Sequence, residues 1–183
     1  MTLNEIPPEA FAVRIHHLWE TQWLLLSAGD FAAADYNCMT VAWGSFGIMW
    51  GLPFAQVVVR PTRHTYGFME RYDNFSLCAF PEHCRDALQL LGTKSGRDGD
   101  KISESGLTPV PCTRIAAPAY DEADLVIECR KIYSQDFDPA RFLDPAIDGS
   151  YPLKDYHRVY FGAIECIRGT DRYGFATSAG SSS

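Results

Sequence analysis

A mainly β fold of the α+β class, built on an antiparallel sheet or barrel, is what three observations in this chain predict. Six short runs rich in Val, Ile and aromatic residues recur along it, at 23–28, 39–46, 54–60, 75–80, 125–133 and 157–167. Gly, Pro, Asp or Asn punctuates them, the pattern of strands set off by turns. Helical patterns number only two and are short, so strand and helix do not alternate as a parallel sheet would require. With 183 residues and 46% hydrophobic content the chain can bury a sizeable core, and it reads as one domain.

Taken in order, residues 1–14 read as an N-terminal extension, 15–170 as the domain and 171–183 as a disordered, Ser-rich tail. The run Phe54-Ala-Gln-Val-Val-Val-Arg60 breaks into Arg60-Pro-Thr-Arg-His-Thr-Tyr66 just before a helix at 65–72, whose Tyr66, Met69 and Tyr72 lie three apart. Thr62 or Thr65 is the candidate cap. A second helix is expected over 81–91, with Pro81 in its first turn, an acid close behind and Gly92 as its stop. The segment 92–101 carries three glycines and dense charge, and by composition alone it is a solvated connector.

Composition excludes several function classes. Sixteen basic against 23 acidic residues give a formal net charge of -7, which argues against duplex nucleic acid as a partner and makes any anion site local. No apolar run approaches the ~20 residues that span a bilayer, and the N-terminus lacks a basic stretch followed by an apolar one, so no membrane role and a cytoplasmic location are expected. The six cysteines form no Cys-x-x-Cys pair and read as reduced, mostly buried thiols. Cys78, His83 and Cys84 straddle Pro81 without a second ligand pair, so no metal site is expected.

Two segments carry candidate chemistry. At Arg60 to Tyr66, two guanidiniums, an imidazole and two threonine hydroxyls crowd a helix start, where free backbone N–H groups and Arg forks suit a phosphate. The same residues also read as a helix cap flanked by solvated charges. At Asn37-Cys-Met-Thr40, continuing into Val41-Ala-Trp-Gly-Ser45, the small residues Ala42, Gly44 and Ser45 leave room for a planar ligand against strand backbone. Trp43 and Trp50 are either core or walls for a flat heterocycle.

Five ordered blocks carry a family resemblance: Trp23-Leu-Leu-Leu-Ser-Ala-Gly-Asp30, Asn37-Cys-Met-Thr-Val-Ala-Trp-Gly44, Val59-Arg-Pro-Thr-Arg-His-Thr-Tyr66, Gly92-Thr-Lys-Ser-Gly-Arg-Asp98 with Asp100-Lys101, and Tyr151-Pro-x-x-Asp-Tyr-His-Arg158. From about Ile15 to Ile167 the chain resembles the flavin reductase-like, flavoredoxin-type FMN-binding proteins. The resemblance implies a Greek-key split barrel of antiparallel strands that binds FMN non-covalently as a homodimer, with the flavin near the subunit interface. It implies that Asn37, Met39, Thr40, Val41, Ala42 and Trp43 contact the isoalloxazine and ribityl portions. Arg60, Pro61, Arg63, His64 and Thr65 would hold phosphate or ribityl hydroxyls, and Ser95, Gly96 and Arg97 would close the site, turning the connector into a binding loop.

The chain departs from the family pattern at His64, where an aromatic such as Tyr is common, at Ala163, which takes an acidic position, and at Lys94, which replaces a smaller or apolar residue. His157, which begins the last long run, is implied as the catalytic residue near flavin or nicotinamide, as a hydrogen-bond donor or proton relay. Its structural alternative is a histidine bonded to a carboxylate such as Asp155. The activity implied is hydride transfer from NAD(P)H, a transient co-substrate in the absence of a Gly-x-Gly-x-x-Gly fingerprint, to FMN and on to a free flavin, a metal or a protein acceptor. The alternatives are an FMN-binding electron-transfer protein without NAD(P)H activity and a dimeric interaction module without cofactor. Arg60 and Arg63 speak against the last, because neighbouring cations without an anion repel.

Overall fold

A computed structural model describes residues 2–174; residues 175–183, most of the expected tail, lie outside them. Among the described residues ten strands form: β1 (Asn4–Glu5), β2 (Leu24–Asp30), β3 (Asp35–Val41), β4 (Gly44–Met49), β5 (Leu52–Val59), β6 (Asn74–Ala79), β7 (Pro109–Pro111), β8 (Pro118–Tyr120), β9 (Leu125–Asp136) and β10 (Arg158–Gly169). Three α-helices interrupt them: α1 (His64–Arg71), α2 (Arg85–Thr93) and α3 (Lys101–Ser105).

The main sheet is antiparallel throughout and runs β3-β2-β6-β9-β10-β5-β4, with β1 added at the end of β10. β3 and β4 are consecutive in the chain, yet they are the two edges of that path. Only Ala42 and Trp43 join them, so the edges approach within about 11 Å there. The sheet therefore curls so that the end of β3 comes near the start of β4, without a ladder between the two edges. The antiparallel sheet resembles the expected split barrel in topology but is not closed into a true barrel, and the single strand expected over 39–46 is two strands broken at 42–43.

Alternation explains how the sheet is buried. On β2, Leu24, Leu26 and Ala28 enter one apolar cluster with Val57, Phe75, Leu77 and Ile127, while Leu25 enters a second with Cys78, Phe80, Leu88 and Val126. Both faces of β2 and β6 are covered, so every residue of β6 is buried, and after Asn74 its run is continuously apolar or small. Truncating a side chain such as Leu77 to Ala would cost about 2–5 kcal/mol through lost burial and a residual cavity. α2 closes the second cluster with Leu88 and Leu91.

Several boundaries differ from expectation. α2 begins at Arg85 after a 3-10 turn over Glu82–Cys84, and it runs through Gly92 to Thr93. α1 is entered at Arg63, whose side chain carries no acceptor to cap it, while the expected caps Thr62 and Thr65 bond Asp155 and the Cys38 carbonyl instead. Residues 171–174 are ordered, contrary to a tail starting at 171: Asp171–Tyr173 form a 3-10 turn, and buried Tyr173 donates to Asp124 at 2.9 Å. All six cysteines are free thiols, five buried and Cys112 partly so. Among the described residues no helix is long and apolar enough to cross a membrane.

Candidate functional site

The break between β3 and β4 opens a cleft of about 200 Å³. Residues 39–43 form one wall, with Val58, Arg60, Arg63 and His157 opposite. Val41 is the last β3 residue in register with β2, and Gly44 the first of β4 in register with β5. Ala42 and Trp43 thus have no ladder partner, and their backbone groups are available to a ligand. Both residues are exposed, Trp43 by 52%.

A second cleft of about 130 Å³ adjoins the first and shares Met39 and Arg63 with it. Its walls bring Thr62 and His64, from the start of α1, against Ser95 and Arg97 of the 94–100 loop and Lys101 of α3. Gly96 lets that loop come close: a Cβ there would stand 2.7 Å from Asn37 Oδ1 and 2.9 Å from His64 Cδ2.

This end is cationic. Lys101 is 4% exposed, and its ammonium donates to the Leu91 carbonyl at 3.0 Å. Arg97 donates to the Thr62 carbonyl at 3.1 Å, and Arg63 to the Gly92 carbonyl at 3.4 Å. No carboxylate forms an ion pair with Arg63, Arg97 or Lys101 among the described residues, whereas nearby Lys94 is neutralised by Glu104 at 2.6 Å. Burial pushes the Lys101 pKa down, and Arg63 adds to that. The His64 pKa is also lowered, by burial first and then by Arg97, Lys101 and Arg71. A buried ammonium without a counter-charge is costly, and the uncapped N-terminus of α1 adds unpaired donors in the same place.

Some expected site residues spend their polar groups on the chain itself, although Thr40 and Arg60 line the first cleft and Thr65 the second. Asn37 donates to the Thr65 hydroxyl at 2.8 Å, which in turn donates to the Cys38 carbonyl at 3.0 Å. Both side chains are buried, so this pair clips β3 to α1 and leaves no Thr65 donor for a ligand. Asn37 and Pro61 line neither cleft. Thr40 spends its hydroxyl on the Leu88 carbonyl at 2.6 Å, which fixes α2 behind the cleft wall.

Arg60 also departs from expectation. It donates to Asp155 at 2.9 Å and to the Ser150 carbonyl at 2.8 Å, with its guanidinium 4.9 Å from the Tyr151 ring centre. Thr62 reaches the other Asp155 oxygen at 3.1 Å. Arg60 therefore ties down the segment before β10, and its repulsion of Arg63 is relieved within the chain.

His157, 9% exposed, is bonded through Nδ1 to the Tyr151 hydroxyl at 2.8 Å and not to Asp155. Its ring lies 5.1 Å from that of Trp43. Burial, with help from Arg60 and Arg63, lowers its pKa to about 4, so the imidazole is neutral near pH 7. Lys101 and Tyr151 were absent from the expected site set. The only sequence signal for them was their place in the Asp100-Lys101 and Tyr151-Pro blocks.

The protein has structural relatives whose likeness bears on the fold. An FMN-binding domain of a flavin reductases-like enzyme from Shewanella baltica OS155 superposes with a TM-score of 0.66 at 16% identity, over 92% of this chain and 77% of that one. The flavoredoxin of Desulfovibrio vulgaris (Miyazaki F) gives 0.64 at 20% identity, over 88% and 75%. An FMN-binding protein from Thermus thermophilus gives 0.63 at 18%, over 83% and 72%. The model of the flavin reductase like domain matches residues 23–168, the stretch from the start of β2 to the end of β10 that builds both clefts. The chain therefore belongs to the flavin reductase like domain family.

Proposed function

We propose that the two adjoining clefts hold one FMN, with its phosphate at the cationic end and its ring system at the break between β3 and β4, and that the protein is an NAD(P)H-dependent flavin oxidoreductase. The observation that carries this reading is the trio Arg63, Arg97 and buried Lys101, which lacks a carboxylate partner among the described residues of an otherwise acidic chain. An anionic ligand supplies the missing counter-charge through charge-assisted bonds. FMN, when bound, supplies the hydride and electron chemistry.

The protein's own groups bind, orient and exclude. Arg63 and Arg97 take phosphate oxygens, Lys101 compensates their charge from below, and Ser95 and Gly96 cover that end. Backbone donors at Ala42 and Trp43 meet polar edges of the ring system, where fixed dipoles favour developing negative charge. His157 presents a neutral imidazole in the same cleft. NAD(P)H binds transiently against the open face, and a free flavin, metal or protein receives the electrons.

A homodimer fits this reading. The β4–β5 hairpin turns at Trp50 and Gly51, both with positive φ, and leaves Ile48, Trp50 and Leu52 exposed beside Tyr133. So much apolar surface on one hairpin is the mark of a covered face. The six free thiols fit a reducing, cytoplasmic setting.

Anaerobic stopped-flow mixing of FMN-loaded protein with NADH and with NADPH tests the reaction. Bleaching of the yellow band by one of them is expected. Stable binding of FMN with no bleaching by either would make the protein an electron carrier instead.

A further inference from the structure

We infer that Tyr151 is a positioning residue, whose hydroxyl holds His157 in the tautomer that presents Nε2–H to the cleft; its consequence for flavin chemistry rests on the function proposed above. Tyr151 is 1% exposed, and the Nδ1 atom of His157 at 2.8 Å is the one hydrogen-bond acceptor offered to its hydroxyl among the described residues, the His157 backbone N–H approaching the same oxygen as a donor. Were Nδ1–H the donor, the buried phenol proton would have no acceptor, which is the more costly arrangement. The phenol therefore donates, Nδ1 accepts, and the imidazole proton resides on Nε2.

Nε2 has no protein partner among the described residues and is not among the orphan atoms sealed from solvent, in a side chain that lines the 200 Å³ cleft. It is thus a free donor on that wall, beside Arg63. The chain folds back to make this pair. A 3-10 turn, Pro145–Ser150, delivers Tyr151, and the Lys154 amide then bonds the Tyr151 carbonyl at 3.0 Å, with Lys154 itself at φ 55°. Arg60 fixes the result by gripping both Ser150 and Asp155, on either side of Tyr151.

The charged groups near the ring are Arg60, Arg63 and Asp155, with Asp155 already paired to Arg60. Trp43 and Phe137 cover its remaining faces at 5.1 and 6.5 Å. This surrounding keeps the ring neutral, so one nitrogen must accept and the other donate. Such a group suits a carbonyl oxygen or unprotonated ring nitrogen of a planar heterocycle.

Long-range ¹H–¹⁵N correlation spectra of the ¹⁵N-labelled full chain at pH 7.5 read the tautomer without any flavin, with His157→Gln assigning the signals. Wild type should give protonated Nε2 and unprotonated Nδ1, and Tyr151→Phe should shift a substantial fraction to Nδ1–H. Protonated Nδ1 in the wild type would overturn the inference, and so would an unchanged tautomer in folded Tyr151→Phe. If that variant does not fold, the wild-type spectrum decides alone. In the FMN-loaded protein, Tyr151→Phe should slow NAD(P)H-driven bleaching by on the order of tenfold to a hundredfold with FMN affinity retained. Undiminished bleaching would also overturn the positioning role. Failure of FMN to bind wild type that shows the expected tautomer would sink the functional reading and leave the Tyr151–His157 assignment standing.

Discussion

At one end of the paired clefts Arg63, Arg97 and Lys101 meet with no carboxylate between them, while at the other Arg60 is bound to Asp155 and His157 to Tyr151. Arg60 and Arg63 lie three residues apart in one turn, and the fold gives them opposite fates. Arg60 is satisfied by the chain itself and holds its own segment in place. Arg63, like Lys101, has no counter-ion among the described residues. Paired charge builds the site, and unpaired charge marks where, in the proposed function, a ligand would complete it.

The largest effect that separates the two ends should come from Lys101→Met. It removes a buried charge, so the ligand-free protein should lose no stability, as urea midpoints would register. FMN affinity in a fluorescence titration should fall on the order of a hundredfold, about 2.7 kcal/mol. A variant equally weakened in both measurements would mean that Lys101 supports only α2.

Arg63→Ala and Arg60→Ala sharpen the contrast within one turn. Arg63→Ala should weaken FMN by roughly tenfold, and more at low salt than at high, because its guanidinium is exposed. Arg60→Ala should lower the melting temperature and disturb His157, with a smaller effect on the preference for FMN over riboflavin. The reverse pattern would exchange their roles.

Much of this organisation was legible in the sequence, and the illegible part has a physical cause. Strands β2, β5, β6, β9 and β10 announced themselves because their faces are buried in alternation or on both sides. The break at 42–43 did not, since Ala42 and Trp43 continue the local pattern and only pairing with β2 on one side and β5 on the other separates the strands. β1, β7 and β8, of two or three residues each, are too short to carry a period. Arg60 finds Asp155 across 95 positions, beyond any local signal. Lys101 read as one of several solvated charges, until α3 set it under the end of α2.

A smaller effect belongs to the aromatic end. Folded His157 takes its proton only near pH 4, whereas the unfolded chain takes it near 6.5. Between those values the unfolded state binds more protons, so this residue makes stability fall as pH drops from 6.5 towards 4 and contributes nothing above 6.5. His157→Gln should flatten that part of the profile when denaturant midpoints at pH 7.5 and pH 5 are compared. An unchanged slope would place the acid sensitivity elsewhere.

The unpaired charge at the loop end is a phosphate site if the protein tells FMN from riboflavin, two ligands that share a ring system and a ribityl chain and differ in the phosphate. Parallel fluorescence titrations of the wild type at low and physiological salt should find FMN bound at least tenfold more tightly, with the margin shrinking as salt rises. Equal affinities that ignore salt would contradict the assignment of Arg63, Arg97 and Lys101 to a phosphate.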